Sequence, residues 1–302
     1  MSAAPAHLWI WVTLFAAAVQ TLRFMLQKHL AGARLSVGGA TFSRFLFGFP
    51  LAALVAVAFL SVTATPWPHL SAAFWGFVLA GGAAQVAATF LTVALFSMRN
   101  FAVGVAFTKT ETVQVALFSA VILGEWVGPL GWIGILIGMV GVLLLTKQPG
   151  AARLNLRAVV YGVGAGALFG LSSIFYRGAT LELQTLNFFA RAIVALACAT
   201  FAQSIGMALY LRLREPGELH RVISAWRSTI WVGIAGVLGS AGWFTAFSLQ
   251  NAAFVRALGQ VEIVFTLLAS VLVFHERLHR REAIGIALVV GSLVVIVLAG
   301  TR

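Results

Sequence analysis

The 302-residue chain has no aspartate, a single cysteine and few charged residues of any kind. Charged side chains make up 9% of the sequence. About a quarter is usual for soluble domains, so this chain has too little polar surface to clothe a soluble fold of its length. The lone Cys198 excludes an intramolecular disulfide framework and a cysteine-based metal site. Hydrophobic residues make up 61% of the whole sequence, which makes lipid the expected solvent.

The basic excess does not form a nucleic-acid-binding patch. The formal net charge is +12, but most lysines and arginines stand singly or in short clusters between long apolar runs, which is typical of membrane loops. The six histidines lie at the ends of these runs or between them, without the spacing of metal ligands. We therefore expect no nucleic-acid partner, no metal and no cofactor.

Apolar runs of about twenty residues, the length of a transmembrane helix, recur along the chain. They predict ten spans, numbered in chain order below, at 8–27, 39–60, 71–97, 102–123, 129–146, 157–177, 186–211, 229–249, 252–274 and 283–299. Two polar segments, 147–155 and 212–227, are long enough to be loops. The second has an apolar face between Leu219 and Trp226 that predicts a short amphipathic surface helix.

The two halves of the chain repeat each other. When residues 96–125 are laid on 247–276, ten of the thirty positions match, including Glu111 with Glu262 and Asn100 with Asn251. Shared apolar composition does not readily explain polar matches in register. The sequence therefore predicts two five-span repeats, 1–149 and 150–302. Because each has an odd number of spans, the second enters the membrane from the opposite side.

Lysine and arginine are unevenly divided between the two sets of predicted loops. Thirteen lie in the odd-numbered loops: Lys28, Arg34, Arg99, Lys147, Arg153, Arg157, Arg212, Arg214, Arg221, Arg227, Arg277, Arg280 and Arg281. The other side has Arg177 and Arg302. Basic loops are favoured in the cytoplasm, so we expect a multi-pass inner-membrane protein with both termini outside the cytoplasm.

Motifs in both repeats resemble the EamA-like branch of the drug/metabolite transporter superfamily. They are Leu123-Gly124-Glu125, Trp132-Ile133-Gly134 and Gly141 in the first repeat, and Glu276, Ile284-Gly285 and Gly291 in the second. Phe42-Ser43-Arg44-Phe45 and Phe189-Ala190-Arg191 are similar to that family's arginine in the second helix of each repeat.

This resemblance covers nearly the whole chain and implies ten helices around a central cavity. It also implies export of a small metabolite, since members export amino acids, drugs, vitamins and other metabolites. Many members have a proline in the fourth and ninth helices, whereas the seven prolines of this chain lie elsewhere. A proline hinge is therefore not expected here.

Two glutamates are the leading candidates for a functional site. Glu111 lies nine residues into span four and Glu262 ten into span nine, which at about 1.5 Å per residue places both near the membrane midplane. As repeat mates, they are expected at comparable depth on opposite walls of a shared cavity. A carboxylate withdrawn from water binds a proton more readily, so the pair could couple proton exchange to transport. The alternative is a structural pair neutralised by arginines.

Other polar residues extend this candidate site. Helical spacing and repeat register predict that six residues line the cavity: Gln20, Arg23, Gln85, Thr89, Trp243 and Gln260. The alternative is that these side chains only pack helices against one another. Lys109 is expected to reach a substrate carboxylate or a neighbouring helix, or to snorkel to the cytoplasmic surface. For Arg44, Arg191 and Arg256, near span ends, anchoring is favoured.

We interpret the sequence as a secondary transporter of a small amino-acid-like or carboxylate-bearing metabolite, working by alternating access with proton coupling. Five basic residues against two acids inside the spans favour an anionic substrate. A passive facilitator would have the same cavity without titrating glutamates. An integral membrane enzyme needs a catalytic cluster near an interface, and the sequence offers neither an aspartate nor a histidine beside a nucleophile.

Overall fold

The computed structural model describes residues 5–31, 35–96, 107–145, 156–265 and 280–301, apart from the side chains of 23–31, 93, 96 and 228. Within these ranges the regular structure is helical throughout. The helices are α1 Leu8–Ala31, α2 Val37–Val62, α3 Ala72–Phe96, α4 Glu111–Ile122, α5 Gly128–Leu145, α6 Leu156–Leu181, α7 Phe188–Arg214, α8 Glu218–Ser224, α9 Trp226–Leu249, α10 Ala252–Gly259 and α11 Arg280–Gly300.

Seven of the described helices contain stretches long and apolar enough to cross a membrane. These are Val37–Val62, Ala72–Thr92, Gly128–Leu145, Leu156–Leu181, Phe188–Arg214, Thr229–Leu249 and Arg280–Gly300. Leu8–Leu22 and Glu111–Ile122 are apolar but shorter. The prediction of an all-α, multi-pass membrane protein is confirmed for the described residues. The count of ten continuous spans is not, because α4 and α10 are both shorter than the spans predicted there.

Large apolar side chains are exposed along the helices. Trp11, Leu54, Val121, Leu156 and Val294 are each more than half exposed. Exposure of so much apolar area to water would be unfavourable, which agrees with a lipid environment around these faces.

By their internal contacts, the residues group into two compact units. Unit 1 comprises Met1–Leu8, Phe15–Ala83 and Phe175–Leu249, and unit 2 comprises Trp9–Leu14, Ala84–Ile174 and Gln250–Arg302. Each unit draws helices from both halves of the sequence.

Unit 1 is built on α2, α7 and α9, which pack against one another. Glycines on α9 permit the close approach to α2: a Cβ built on Gly233 would lie 3.2 Å from the backbone carbon of Phe47, and one on Gly236 would lie 3.0 Å from Cγ of Arg44. The fully buried side chains of this unit include Phe42, Phe45, Leu60, Ile193, Met207 and Leu211.

Unit 2 contains two tight helix pairs. α5 packs along α11, where a Cβ on Gly141 would lie 2.9 Å from both the carbonyl oxygen of Gly285 and the backbone nitrogen of Val289. Cβ atoms on Gly134 and Gly138 would come within 3 Å of α11 side chains, so this glycine pair serves close packing. The second pair is α4 with α10.

The predicted surface helix is present as α8, but its apolar residues do not share one face. Val222 is fully buried within unit 1, whereas Ile223 is exposed. Trp226, also exposed, already belongs to the first turn of α9. The difference arises because Ala225 forms a turn and redirects the chain before Trp226.

Candidate functional site

Predicted spans four and nine are both interrupted, at positions that are equivalent in the two repeats. Lys109 and Thr110 form a turn before α4 begins at Glu111. In the second repeat α10 ends at Gly259, Gln260 forms a turn, and residues 261–265 are again helical. The alignment that matches Glu111 with Glu262 places Lys109 on Gln260. We call these turns the two helix breaks.

Tight hydrogen bonds, rather than proline, form the helix breaks. The backbone N–H of Thr110 donates to the carbonyl of Phe107 at 3.2 Å, and that of Gln260 donates to Ala257 at 3.3 Å. Both bonds span three residues instead of the four of an α-helix. Short stretches of such tight turns within a helix often mark a functional hinge. Broken membrane helices also expose backbone groups and helix ends at depths where ions and substrates bind.

The helix breaks carry an ion pair between the two repeats. The Glu111 carboxylate, in the first turn of α4, pairs with the Arg256 guanidinium in the last turn of α10. The side chains are only 14% and 19% exposed. Each charge also lies at the helix end whose dipole favours it, the acid at an N-terminus and the base at a C-terminus. The ionic contact and the helix dipoles therefore both favour the packing of α4 against α10 at this point.

Hydrogen bonds between α4 and α10 accompany this ion pair. The side-chain amide of Gln260 donates to the Thr112 hydroxyl at 2.8 Å, and the Ser119 hydroxyl donates to the amide oxygen of Asn251 at 3.3 Å. Asn251 also caps α10, its side chain accepting from the N–H of Ala253 at 2.8 Å. The contacts run from the start of α4 to its last turn, so the two helices lie antiparallel.

The ion pair does not follow the repeat symmetry. The repeat mate of Arg256 is Val105, an apolar residue, so the sequence cannot place an equivalent arginine beside Glu262 by symmetry. The two glutamates, equivalent in sequence, therefore have different surroundings. For Glu111, the arrangement matches the alternative in which an arginine neutralises the carboxylate. Arg256, for which anchoring was favoured, is its partner.

Two glutamines near the helix breaks have a buried side-chain acceptor. The side-chain oxygens of Gln114 and Gln260 have no hydrogen-bond donor among the described residues. The amide nitrogen of Gln114 donates to the hydroxyl of Thr110 at 3.2 Å and to the carbonyl of Val163 on α6 at 3.4 Å. A buried acceptor without a donor carries a desolvation penalty, which a proton-bearing ligand or a water would relieve.

A glycine on α6 permits close packing against the helix break in the first repeat. A Cβ on Gly166 would lie 2.8 Å from the carbonyl of Thr108 and 3.4 Å from the backbone nitrogen of Glu111. One turn further, a Cβ on Gly170 would lie 2.9 Å from Val115. These glycines therefore serve to bring α6 onto the start of α4.

The remaining predicted site residues of unit 2 are Lys109, Glu262, Gln85 and Thr89. Lys109, in the first helix break, and Glu262, just after the second, are half-buried. Among the described residues, Lys109 makes no ion pair and does not pair with Glu111. On α3, the Thr89 hydroxyl donates to the carbonyl of Gln85 within the same helix at 2.8 Å. The Arg23 side chain lies outside the described residues.

In unit 1, the structure brings Gln20 and Trp243 together. The indole N–H of Trp243 on α9 donates to the amide oxygen of Gln20 on α1 at 2.9 Å. The Trp243 side chain is 7% exposed and stacks on Phe247, with ring centroids 6.1 Å apart. In this conformation the tryptophan packs between helices, which was the alternative to substrate stacking.

One turn before Trp243, Ser240 on α9 contacts Arg44 on α2. The Arg44 guanidinium donates to the hydroxyl of Ser240 at 3.0 Å. In the described part of the chain, Arg44 has no carboxylate partner. A guanidinium held by a neutral hydroxyl retains donors for an anion. The sequence favoured anchoring for Arg44 and did not predict the contact between its side chain and α9.

An apolar cavity of about 310 Å³ also lies in unit 1, between α2 and α7. Its lining includes Phe49, Ala53, Trp67, Cys198 and Phe201, and none of the predicted site residues. Its chemistry suits hydrocarbon rather than a polar metabolite. Among the described residues, no group of three His, Cys or Glu side chains is arranged to hold a metal.

Comparisons with known proteins agree with this architecture. The family model of the EamA-like transporter family matches residues 7–147 and 156–298, one match in each repeat. No curated protein matches the chain. One solved crystal structure is similar over 97% of this chain and 99% of its own, with a TM-score of 0.71 and 19% sequence identity. At that identity the likeness shows the fold alone.

Proposed function

Because this chain belongs to the EamA-like transporter family, within the drug/metabolite transporter superfamily, we propose that it is a proton-coupled secondary transporter of a carboxylate-bearing metabolite. The observation that carries this proposal is the ion pair of Glu111 with Arg256 at the helix breaks. We also propose that the protein exports its substrate and that it lies in an inner membrane with both termini outside the cytoplasm. The proposed inverted repeats are 1–149 and 150–302.

The ion pair supplies a means of coupling. Protonation of Glu111 removes its charge and so weakens its pairing with Arg256, which is unfavourable at a site largely withdrawn from water. Opening of the helix breaks would relieve that cost by admitting water or a substrate anion to Arg256. Proton binding thus favours one arrangement of α4 and α10, and proton release favours the other.

The buried side-chain oxygens of Gln114 and Gln260 support a site for a proton-bearing group beside Glu111. An ammonium group or a protonated water could donate to them. An amino-acid-like substrate carries an ammonium and a carboxylate, and the carboxylate could bind a guanidinium in bidentate geometry. The residues we assign to substrate and proton binding in unit 2 are Glu111, Glu262, Lys109, Gln260, Gln85 and Thr89.

Arg44 supports the choice of an anionic substrate. Its guanidinium lies inside unit 1 beside Ser240 and close to the Gln20–Trp243 hydrogen bond. Because the substrate's carboxylate would supply the counter-charge that Arg44 lacks among the described residues, binding there would be stronger than binding of a neutral analogue. In unit 1, we assign Arg23, Gln20 and Trp243 to substrate binding.

The test is transport by purified protein in proteoliposomes with an imposed pH gradient, using candidate amino acids. Glu111→Gln keeps the size and hydrogen-bonding capacity of the side chain but cannot titrate. We expect it to abolish gradient-driven accumulation while exchange of labelled for unlabelled substrate continues. Glu262→Gln is tested in the same way, because the two glutamates have different surroundings.

Glu182→Gln is the matched control, since Glu182 is exposed and accepts a hydrogen bond from Ser71 at 3.0 Å, away from the helix breaks. It should transport normally. Normal accumulation by both Glu111→Gln and Glu262→Gln would overturn the coupling role. A passive facilitator, the second candidate, would show flux in wild type that is independent of the pH gradient.

A further inference from the structure

The segment that joins α7 to α9 separates its acidic and basic side chains. α7 ends at Arg214, the chain turns at Gly217 with φ +88°, and α8 follows before α9 begins at Trp226. Within this connection, the acids face into unit 1 and the arginines face outward. We call its outer face, formed by Arg212, Leu213, Arg214, Arg221, Ile223, Trp226 and Arg227, the basic rim.

The acids of the segment are engaged with the start of α2. The Glu218 carboxylate, 4% exposed, accepts a hydrogen bond from the backbone N–H of Ser36 at 2.6 Å. The Ser36 hydroxyl donates to Glu215 and, as the cap of α2, accepts from the N–H of Gly39 at 2.9 Å. A Cβ on Gly38 would lie 2.7 Å from a carboxylate oxygen of Glu215, so the glycine leaves room for this group.

The arginines of the basic rim remain largely uncompensated. Arg212, Arg214 and Arg227 are exposed and form no ion pair among the described residues. Arg221 pairs with Glu218 at 3.0 Å, yet its side chain is 68% exposed. Because the two acids of this segment are used inside unit 1, the outward face carries a concentrated positive charge.

Apolar side chains close to these arginines in the chain are exposed as well. Leu213 is 68% exposed, and Ile223 and Trp226 are about half exposed. The Arg227 guanidinium lies over the Trp226 ring, 5.6 Å from its centroid. Arginine beside exposed tryptophan and aliphatic groups is typical of side chains at the boundary between acyl chains and lipid headgroups.

From this arrangement we propose that the basic rim is a binding site for the phosphates of anionic phospholipid headgroups. Charge complementarity selects an anion, and arginine forms bidentate hydrogen bonds with phosphate. The exposed Leu213, Ile223 and Trp226 select a lipid over a soluble anion, because only a lipid brings apolar chains beside its phosphate. The helices that flank the segment, α7 and α9, both contain membrane-spanning stretches, which places the rim at the bilayer surface.

The site can be tested by titrating purified full-length protein in neutral detergent with phosphatidylglycerol or phosphatidylcholine and counting bound lipids by native mass spectrometry. We expect tighter binding of phosphatidylglycerol. Each basic residue near a membrane surface contributes about fivefold in affinity for anionic lipid, so Arg214→Gln/Arg227→Gln should weaken the first binding event about 25-fold. Arg212→Gln alone should weaken it about fivefold.

Arg280→Gln/Arg281→Gln is the matched control, because it removes two exposed arginines at the start of α11. It should change the first binding event less than twofold. Trp226→Ala should weaken binding of the lipid but not of inorganic phosphate. The melting temperature of each variant in phosphatidylcholine confirms that the protein is folded.

Three outcomes would overturn the proposal. Equal binding of the two lipids would mean that the rim does not recognise anionic headgroups. An equal loss in the α11 control would mean that only net charge matters. Displacement of phosphatidylglycerol by an equimolar concentration of inorganic phosphate would identify a site for soluble anions instead. None of these outcomes depends on whether the protein transports a carboxylate.

Discussion

The Glu111 carboxylate and the Arg256 guanidinium form an ion pair between the first turn of α4 and the last turn of α10. The two residues come from equivalent spans of the two repeats, but the repeat mate of Arg256 is Val105. The pairing is therefore asymmetric, although it joins segments of two spans that the repeat makes equivalent.

Glu111 and Arg256 should stabilise each other, so the effects of replacing them should not be independent. Glu111→Gln and Arg256→Met should each lower the free energy of unfolding by about 1–3 kcal/mol, because each removes one charge of an ion pair that is largely withdrawn from water. The double variant should lose less than the sum of the two single losses. Thermal or denaturant unfolding of the purified proteins provides the measurement. Strictly additive losses would show that the two charges do not stabilise each other.

The contact between α5 and α11 should not tolerate a methyl group at Gly141. Its Cβ would meet backbone atoms of Gly285 and Val289 at 2.9 Å, and backbone cannot move aside as a flexible side chain can. We expect Gly141→Ala to lower the free energy of unfolding by about 1–3 kcal/mol.

Gly291→Ala, on α11, is the control for that substitution. A Cβ at Gly291 would have nothing within 4 Å, so alanine should be neutral or stabilise the helix by up to about 1 kcal/mol. Equal melting temperatures for the two variants would contradict the close approach of α5 and α11.

Arg44 should distinguish substrates by charge. Arg44→Gln should weaken binding of a carboxylate-bearing substrate by at least about tenfold, since a charged hydrogen bond is lost, while binding of the corresponding amide changes little. Competition binding with matched acid and amide analogues measures both. Ser240→Ala, which removes the neutral partner but keeps the guanidinium, should have a smaller effect. An equal loss for acid and amide would indicate that Arg44 only supports the fold of unit 1.

The orientation of the termini can be tested with a reporter that is active only in the cytoplasm. The excess of basic residues in the odd-numbered loops predicts that both termini lie outside, so a fusion at the C-terminus should be inactive. A fusion after residue 216, in the loop that contains the basic rim, should be active and serves as the positive control. Activity at the C-terminus together with inactivity at residue 216 would reverse the orientation.

Several features of this protein follow from the sequence alone. Scarce charge and long apolar runs indicate a membrane protein, because no other solvent accommodates side chains such as Leu54 and Val294 on the outside of helices. The internal repeat needed only the register of Glu111 with Glu262. Close packing at Gly134 and Gly138 was also predictable, since small residues spaced by four lie on one helix face.

The interruption of spans four and nine could not be predicted in this way. The apolar runs that contain Thr110 and Gln260 are long enough to be interpreted as continuous spans, and no proline marks either position. Contacts such as that of the Gln114 amide with the carbonyl of Val163 form only when the helices pack. Hydropathy reports which segments prefer lipid to water. It does not show where a backbone hydrogen bond spans three residues instead of four.

Only the tertiary structure decided which charges pair. The sequence placed Glu111 and Arg256 within membrane spans, and that depth alone determined that both need polar surroundings, since a charge facing lipid is unfavourable. It could not select the partner, because the two residues are far apart in the chain and repeat symmetry would have placed Val105, not an arginine, beside Glu262. The antiparallel packing of α4 on α10 brings the acid to the base. Composition thus determines the solvent and the spans. Ionic and hydrogen-bond contacts act only at short range, so the packing of the helices decides which residues pair.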